Sequence, residues 1–162
     1  MIILGIDPGI GRCGWGVIES QGTKLKVKDY GCIETSPKKT VEKRLEEIHK
    51  EILRIIKKYS PDSLSIEELF FNTNAKTAFV VGQARGVILL AAANSNIPVS
   101  IYTPLQVKVA VTGFGRAEKE QVGKMVKTIL SLPSVPKPDD TTDALAIAIT
   151  HAFSFKAAKF LK

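Results

Sequence analysis

The hydrophobic period of this chain changes once, near residue 40, and that change restricts the fold more than any other feature. Upstream, apolar runs at 2–7, 13–19 and 25–34 are joined by Pro8-Gly9-Ile10-Gly11 and by Gln21-Gly22-Thr23, both turn-forming. Three strands on tight turns make an antiparallel meander. Downstream, Val41, Leu45, Ile48, Ile52, Ile55 and Tyr59 recur at steps of three and four, which is one face of a helix. Its other face mixes Lys and Arg with Glu, as expected of a helix that covers a sheet and turns its charges to water. A short strand at 63–68 follows, then an almost wholly apolar helix at 77–93, expected to be buried in the core or at a subunit contact. A strand at 99–102, short helices at 105–111 and 118–130, and an Ala-rich helix at 140–155 complete the order. A meander followed by strand–helix units predicts an α/β fold: a five-stranded mixed sheet, three strands antiparallel and two parallel, with helices on both faces. A right-handed crossover makes the strands at 2–7 and 63–68 parallel neighbours.

Composition narrows the class. A length of 162 residues predicts a single domain spanning 1–162. No apolar run approaches the roughly 18–20 residues of a membrane helix. The start, Met1-Ile2-Ile3-Leu4-Gly5-Ile6-Asp7, has no basic segment and meets an acid almost at once, unlike a secretory signal. Cys13 and Cys32 have no metal-ligand spacing and suit a reducing compartment, so a cytoplasmic location is expected. Twenty-three Lys and Arg against sixteen Asp and Glu leave a net charge of +7, which suggests a polyanionic partner.

Four acids carry the chemistry. Asp7 ends the first strand, and an acid there is costly unless it has a partner. Glu67 nears the end of the strand at 63–68, and in parallel neighbours these two ends share one edge of the sheet. Asp140 and Asp143 stand three apart at the start of the last helix, on one face. That pair also suits simple capping of the helix. Clustered carboxylates repel unless cations neutralise them. Hard oxygen donors select Mg²⁺ or Mn²⁺, and two such ions about 4 Å apart can activate water and stabilise a leaving oxygen in phosphodiester hydrolysis. No Ser/His/Asp or Cys/His arrangement offers an alternative nucleophile. Glu68 competes with Glu67, and alternation alone does not choose between them while the cross-strand register is unknown.

These residues resemble a known family. Leu4-Gly5-Ile6-Asp7-Pro8-Gly9, Gly14-Trp15-Gly16, Ile66-Glu67 followed by Phe70, Gly82-Gln83-Ala84-Arg85-Gly86, Val107-Lys108, the stretch 113–119 and the stretch 140–151 match, in order, the RuvC family of bacterial Holliday-junction resolvases. The resemblance covers essentially the whole chain. It implies an RNase H-like fold and a homodimer that makes paired, metal-dependent cuts in a four-way DNA junction during recombination and repair. It implies catalytic and metal-binding roles for Asp7, Glu67, Asp140 and Asp143, with Mg²⁺, or Mn²⁺ as a substitute, at two ions per site. It places DNA contacts at Phe70, Lys108, Lys119, Arg85 and Gln83, and implies coupling to the RuvA and RuvB branch-migration proteins. A base at an opened crossover could stack on Phe70, with Phe71 as its competitor for that role. Residues 104–130 hold Lys108, Arg116, Lys119, Lys124 and Lys127 against Glu118 and Glu120. His151 lies too far along its helix from Asp140 to share an ion and reads as structural, while His49 sits among charges and is expected on the surface.

Two other readings are weighed. Asp7-Pro8-Gly9-Ile10-Gly11 also resembles the first phosphate loop of actin/Hsp70-type ATPases, but the chain is short for two nucleotide-clamping lobes and shows no second phosphate loop. An RNase H-fold nuclease acting on RNA is the nearer rival.

Overall fold

The structure, a computed structural model, describes residues 1–22, 24–68 and 75–160. Thr23 of the second expected turn and the expected DNA contact Phe70, with Phe71, lie outside the described residues. The elements run β1 (Ile2–Asp7), β2 (Arg12–Gln21), β3 (Lys24–Glu34), α1 (Val41–Tyr59), β4 (Ser63–Glu67), α2 (Ala75–Asn94), β5 (Val99–Tyr102), α3 (Pro104–Thr112), α4 (Lys119–Ile129) and α5 (Asp139–Phe160). The five strands form one mixed sheet in the order β3-β2-β1-β4-β5. β1 is antiparallel to β2 and parallel to β4, and β5 continues the parallel side. The meander and the parallel pairing of β1 with β4 are both present as expected. Among the described residues no helix is long and apolar enough to cross a membrane.

Alternation along the strands divides the core in two. Leu4, Ile6, Cys13, Val17, Leu64 and Ile66 point to one face, where Ile48, Ile52, Ile55 and Ile56 of α1 and Ala84, Ile88, Ala91 and Ala92 of α2 cover them. Each such side chain, fully enclosed, contributes about 1.5–3 kcal/mol of hydrophobic burial. The outer face of α1 carries ion pairs within the helix, Lys43–Glu46 at 3.0 Å, Lys50–Glu46 at 2.6 Å and Arg54–Glu51 at 2.8 Å. It therefore covers the sheet as the periodicity requires. Ser60 ends it in the left-handed conformation, φ 45°, with its N–H donated to the Ile56 carbonyl at 2.8 Å.

The opposite face of the sheet is unusually bare. Gly5 of β1 and Gly14 and Gly16 of β2 point that way, and α5 lies directly on them. A Cβ on Gly5 would overlap the Ala144 carbonyl and stand 2.8 Å from the Ala148 Cβ. One on Gly14 would overlap the Asp140 carbonyl, and one on Gly16 would stand 2.5 Å from Leu145 Cδ2 and 2.8 Å from its Cγ. The missing side chains let the α5 backbone approach the strands closely. Around this contact α3 and α4 pack Val107, Val111, Val122 and Val126 against Ala146, Ile147 and Ile149 of α5.

Within the chain α2 is buried on one side only, against α1 and the sheet, and Phe79 remains 66% and Leu90 53% exposed on the other. One expectation is corrected. His49 is half-buried, not on the surface, and its Nε2 is enclosed without a hydrogen-bond partner.

Candidate active site

The β1–β4 register settles which glutamate joins Asp7. Ile3 pairs with Ser63, Gly5 with Ser65 and Ile6 with Ile66, so the next rung sets Asp7 beside Glu67. Odd positions on both strands face α5 and even ones face α1 and α2. Glu67 thus shares the face of Asp7 and is half-buried, whereas Glu68 is exposed. The Glu68 N–H continues the ladder to the Tyr102 carbonyl at 2.8 Å.

The bare strip of glycines brings in the other two acids. Gly14 is the cross-strand partner of Asp7, and the Asp140 backbone rests against Gly14. The first turn of α5 is therefore set down beside the end of β1, carrying Asp140 and Asp143. Burial pushes the Asp7 carboxyl up to about 8, reinforced by the negative charges of Asp143, Glu67 and Asp140 and opposed by Lys119. Burial, then Asp143, also raises Glu67. Burial raises Asp143 in spite of its hydrogen bond from Lys119.

Two cations answer this charge. Lys119, the first residue of α4, places Nζ 2.9 Å from Asp143 Oδ2 and 3.9 Å from Asp139 Oδ2. Burial disfavours its charge, but the hydrogen bond to Asp143 and the negative charges of Asp143, Asp139 and Asp7 together outweigh this and hold the lysine above its ordinary value. Arg12 Nε lies 3.6 Å from Asp140 Oδ2. A cleft of about 240 Å³ opens here, with Glu67, Lys108, Lys119 and Asp143 among its lining and Val107, Val122, Ala146 and Ile147 as its apolar wall.

Of the expected DNA contacts, Lys108 and Lys119 line this cleft. Arg85 lies just behind it, with Nε donated to the Glu67 carbonyl at 3.4 Å. Gln83 sits elsewhere, on the α2 stripe that runs through Phe79, Gly86 and Leu90 at helical spacing. His151 is buried, with its Nδ1 2.9 Å from the Tyr102 hydroxyl, and burial lowers its pKa. That is a structural histidine away from the acids. Arg12 and Asp139 are the site neighbours that sequence reasoning missed. Nothing in the sequence marks Arg12, and only the seating of α5 on β2 reveals its partner. Asp139 is held by Lys137 at 2.6 Å.

Four carboxylates facing Arg12 and Lys119 make a donor set that suits a hard divalent cation by charge and by oxygen chemistry. As they stand, no three His, Cys, Asp or Glu side chains among the described residues are grouped closely enough to hold one ion. Asp7, Glu67 and Asp143 nonetheless act on one another, since the charge of Asp143 raises both Asp7 and Glu67, and a divalent cation held among them would favour the ionised carboxylates.

Comparison with known proteins adds the following. The family model for crossover junction endodeoxyribonuclease RuvC matches residues 3–151. A crossover junction endodeoxyribonuclease RuvC of Desulforamulus reducens is 59% identical over 152 residues, covering 94% of this chain and 93% of its own. One of Clostridioides difficile is 55% identical over 162 residues, covering 100% and 96%. Among solved structures, Thermus thermophilus RuvC superposes with a TM-score of 0.90 at 40% identity, covering 98% of this chain and 97% of that one. The same protein in complex with a Holliday junction substrate gives 0.90 at 37% identity, covering 97% and 96%.

Proposed function

The chain belongs to the RuvC family of crossover junction endodeoxyribonucleases, and from that premise we propose how its own residues resolve a junction. It is a structure-selective endonuclease that resolves Holliday junctions by metal-dependent hydrolysis of phosphodiesters in two strands, in recombination and repair. The observation that carries the residue assignment is the meeting of Asp7, Glu67, Asp143 and Lys119 at one sheet edge, with Asp7 pushed up to about 8.

Asp7, Glu67, Asp140 and Asp143 are the catalytic and metal-binding set. They would hold Mg²⁺, or Mn²⁺ in its place, at two ions per site. Bound there, the ions supply an activated water and stabilise the leaving oxygen. Lys119 and Lys108 neutralise the phosphodiester seated in the cleft, and the apolar wall strengthens those interactions by excluding water. Arg12 holds Asp140 in place. Arg85 steadies the end of β4 through the Glu67 carbonyl, and Phe70 offers a ring to a base at the crossover.

One domain over 1–162 presents one such site, so two cuts require two chains. The exposed α2 stripe suits the contact between them. A Cβ on Gly86 would meet nothing within 4 Å of its own chain, and Phe79 and Leu90 lie open on either side. Leu90→Glu is expected to shift the protein from dimer to monomer in sedimentation analysis while its thermal midpoint falls by only a few degrees. A dimer that survives this change would move the contact elsewhere. Work in the cytoplasm with RuvA and RuvB completes the proposal.

The test is direct. A mobile four-way junction incubated with the protein and Mg²⁺ is expected to be nicked in two strands, with EDTA stopping the reaction and linear duplex left uncut. A junction that stays intact in both Mg²⁺ and Mn²⁺ would remove the assignment.

A further inference from the structure

The turn between α3 and α4 carries an aromatic ring that the catalytic cleft leaves unused. Phe114 is 57% exposed there, yet its backbone is firmly held. Gly113 takes φ 76° and donates its N–H to the Val109 carbonyl at 2.8 Å. The Thr112 hydroxyl donates to the Lys108 carbonyl at 2.7 Å and accepts the Phe114 N–H at 3.1 Å. The Phe114 carbonyl in turn accepts the Ala117 N–H at 3.1 Å. Gly115 is pressed onto Leu105, where an added Cβ would stand 2.6 Å from Cδ1. A turn tied at this many points fixes the backbone from which the ring projects, so its exposure belongs to the fold.

Charge distinguishes the surroundings of the turn. The turn joins the two helices that supply Lys108 and Lys119 to the cleft. Among the described residues neither Lys108 nor Arg116 has a carboxylate within 4.0 Å. Of the two acids nearby, Glu120 is paired with Lys124 at 2.6 Å and Glu118 is the N-cap of α4. An exposed aromatic on a firmly held turn, between helices that carry unpaired cations, has the make-up of a nucleic-acid stacking platform.

We propose that Phe114 stacks on an unpaired nucleobase of the junction, beside the strand whose phosphate lies between Lys108 and Lys119. This rests on the junction-cleaving reading above. Bases within a duplex already stack on their neighbours, so such a platform acts only where the crossover opens the strands. It therefore adds selectivity for the branched substrate and leaves general backbone binding to the lysines. The exposed Leu105 and Val109 extend the apolar surface beside the ring.

The experiment measures binding to a mobile junction and to linear duplex in EDTA, and single-turnover cleavage in Mg²⁺. Phe114→Ala is expected to lose about ten-fold in junction affinity, the scale of one base–aromatic stack, with duplex affinity unchanged. Phe114→Leu should lose as much, and Phe114→Tyr should keep wild-type affinity, since stacking needs the ring and not merely its bulk. In Phe114→Trp, the new indole should be quenched by the junction and not by the duplex, against the single native Trp15 as reference. Thermal midpoints show that each variant is folded. Unchanged junction binding in Phe114→Ala, as for a protein-docking patch, overturns the proposal, and so does full retention in Phe114→Leu or equal loss on duplex. If wild type does not cut the junction, the functional reading fails instead, which separates the two failures.

Discussion

Asp7→Asn is expected to abolish junction nicking and, in metal-free protein at pH 9, to raise the thermal midpoint. The second half of this result follows from burial. In the unfolded chain Asp7 ionises near 3.8, whereas in the fold it keeps its proton to about 8. Below the unfolded value both states are protonated and nothing is lost. As pH rises from about 4 to about 8 the unfolded state ionises first and is favoured, so the wild type loses stability across that window. Above about 8 the penalty is complete. Asparagine cannot ionise and escapes it. Each tenfold change in proton affinity corresponds to about 1.4 kcal/mol, so the gain at pH 9 is expected to be a few kcal/mol. Melting curves in EDTA from pH 3 to 9 check this: the two proteins should coincide at the acid end and separate steadily above pH 4. A gap that does not change with pH would show that Asp7 is not the strained group. Added Mg²⁺ should raise the wild-type midpoint by mass action and leave Asp7→Asn nearly unmoved.

Gly14→Ala is expected to damage stability and activity together. Its Cβ would overlap the Asp140 carbonyl and stand 2.9 Å from the Thr141 nitrogen, and both are backbone atoms of α5 that no rotamer change can move. The helix must lift or tilt. Forcing atoms into a filled contact of this kind costs about 3 kcal/mol. For a chain of this size that is a fall of roughly 10 °C in midpoint. Asp140 moves with the helix, so nicking should fall well beyond what the stability loss explains at a temperature where the variant is still folded. Gly11→Ala is the control, since its new Cβ meets only the Arg44 guanidinium at 3.5 Å, and it should melt like wild type. Wild-type cleavage in folded Gly14→Ala would mean that the approach of α5 does not position the acid.

These two residues also mark what the sequence made legible. Asp7 was readable because an acid at the end of Ile2-Ile3-Leu4-Gly5-Ile6 has few structural excuses. The element order was readable because the meander and the strand–helix units have different periods. Glu67 could not be separated from Glu68 by alternation alone, since the answer lies in the pairing of Ile3 with Ser63, a contact sixty residues apart in the chain. Gly5, Gly14 and Gly16 read as parts of a motif, and their work as the seat of α5 appears only when strands and helix are assembled. The partners of Lys119 and Arg12 were hidden for the same reason, because Asp143 and Asp140 reach them only through that seat. The uniform apolarity of α2 concealed which side the sheet would cover. Phe79 and Leu90 show that burial within one chain accounts for only half of it.

The seating of α5 has a consequence for when the molecule becomes dangerous to DNA. Asp7 and Glu67 lie on strands made early in synthesis, and alone they are an unfinished pair at a sheet edge. Asp140 and Asp143 arrive on the last helix, after every strand has been made. Until that helix settles onto its glycine track, a nascent or partly unfolded chain has not brought the four proposed ligands together. On the proposed assignment, competence to cut is thereby tied to completion of the fold.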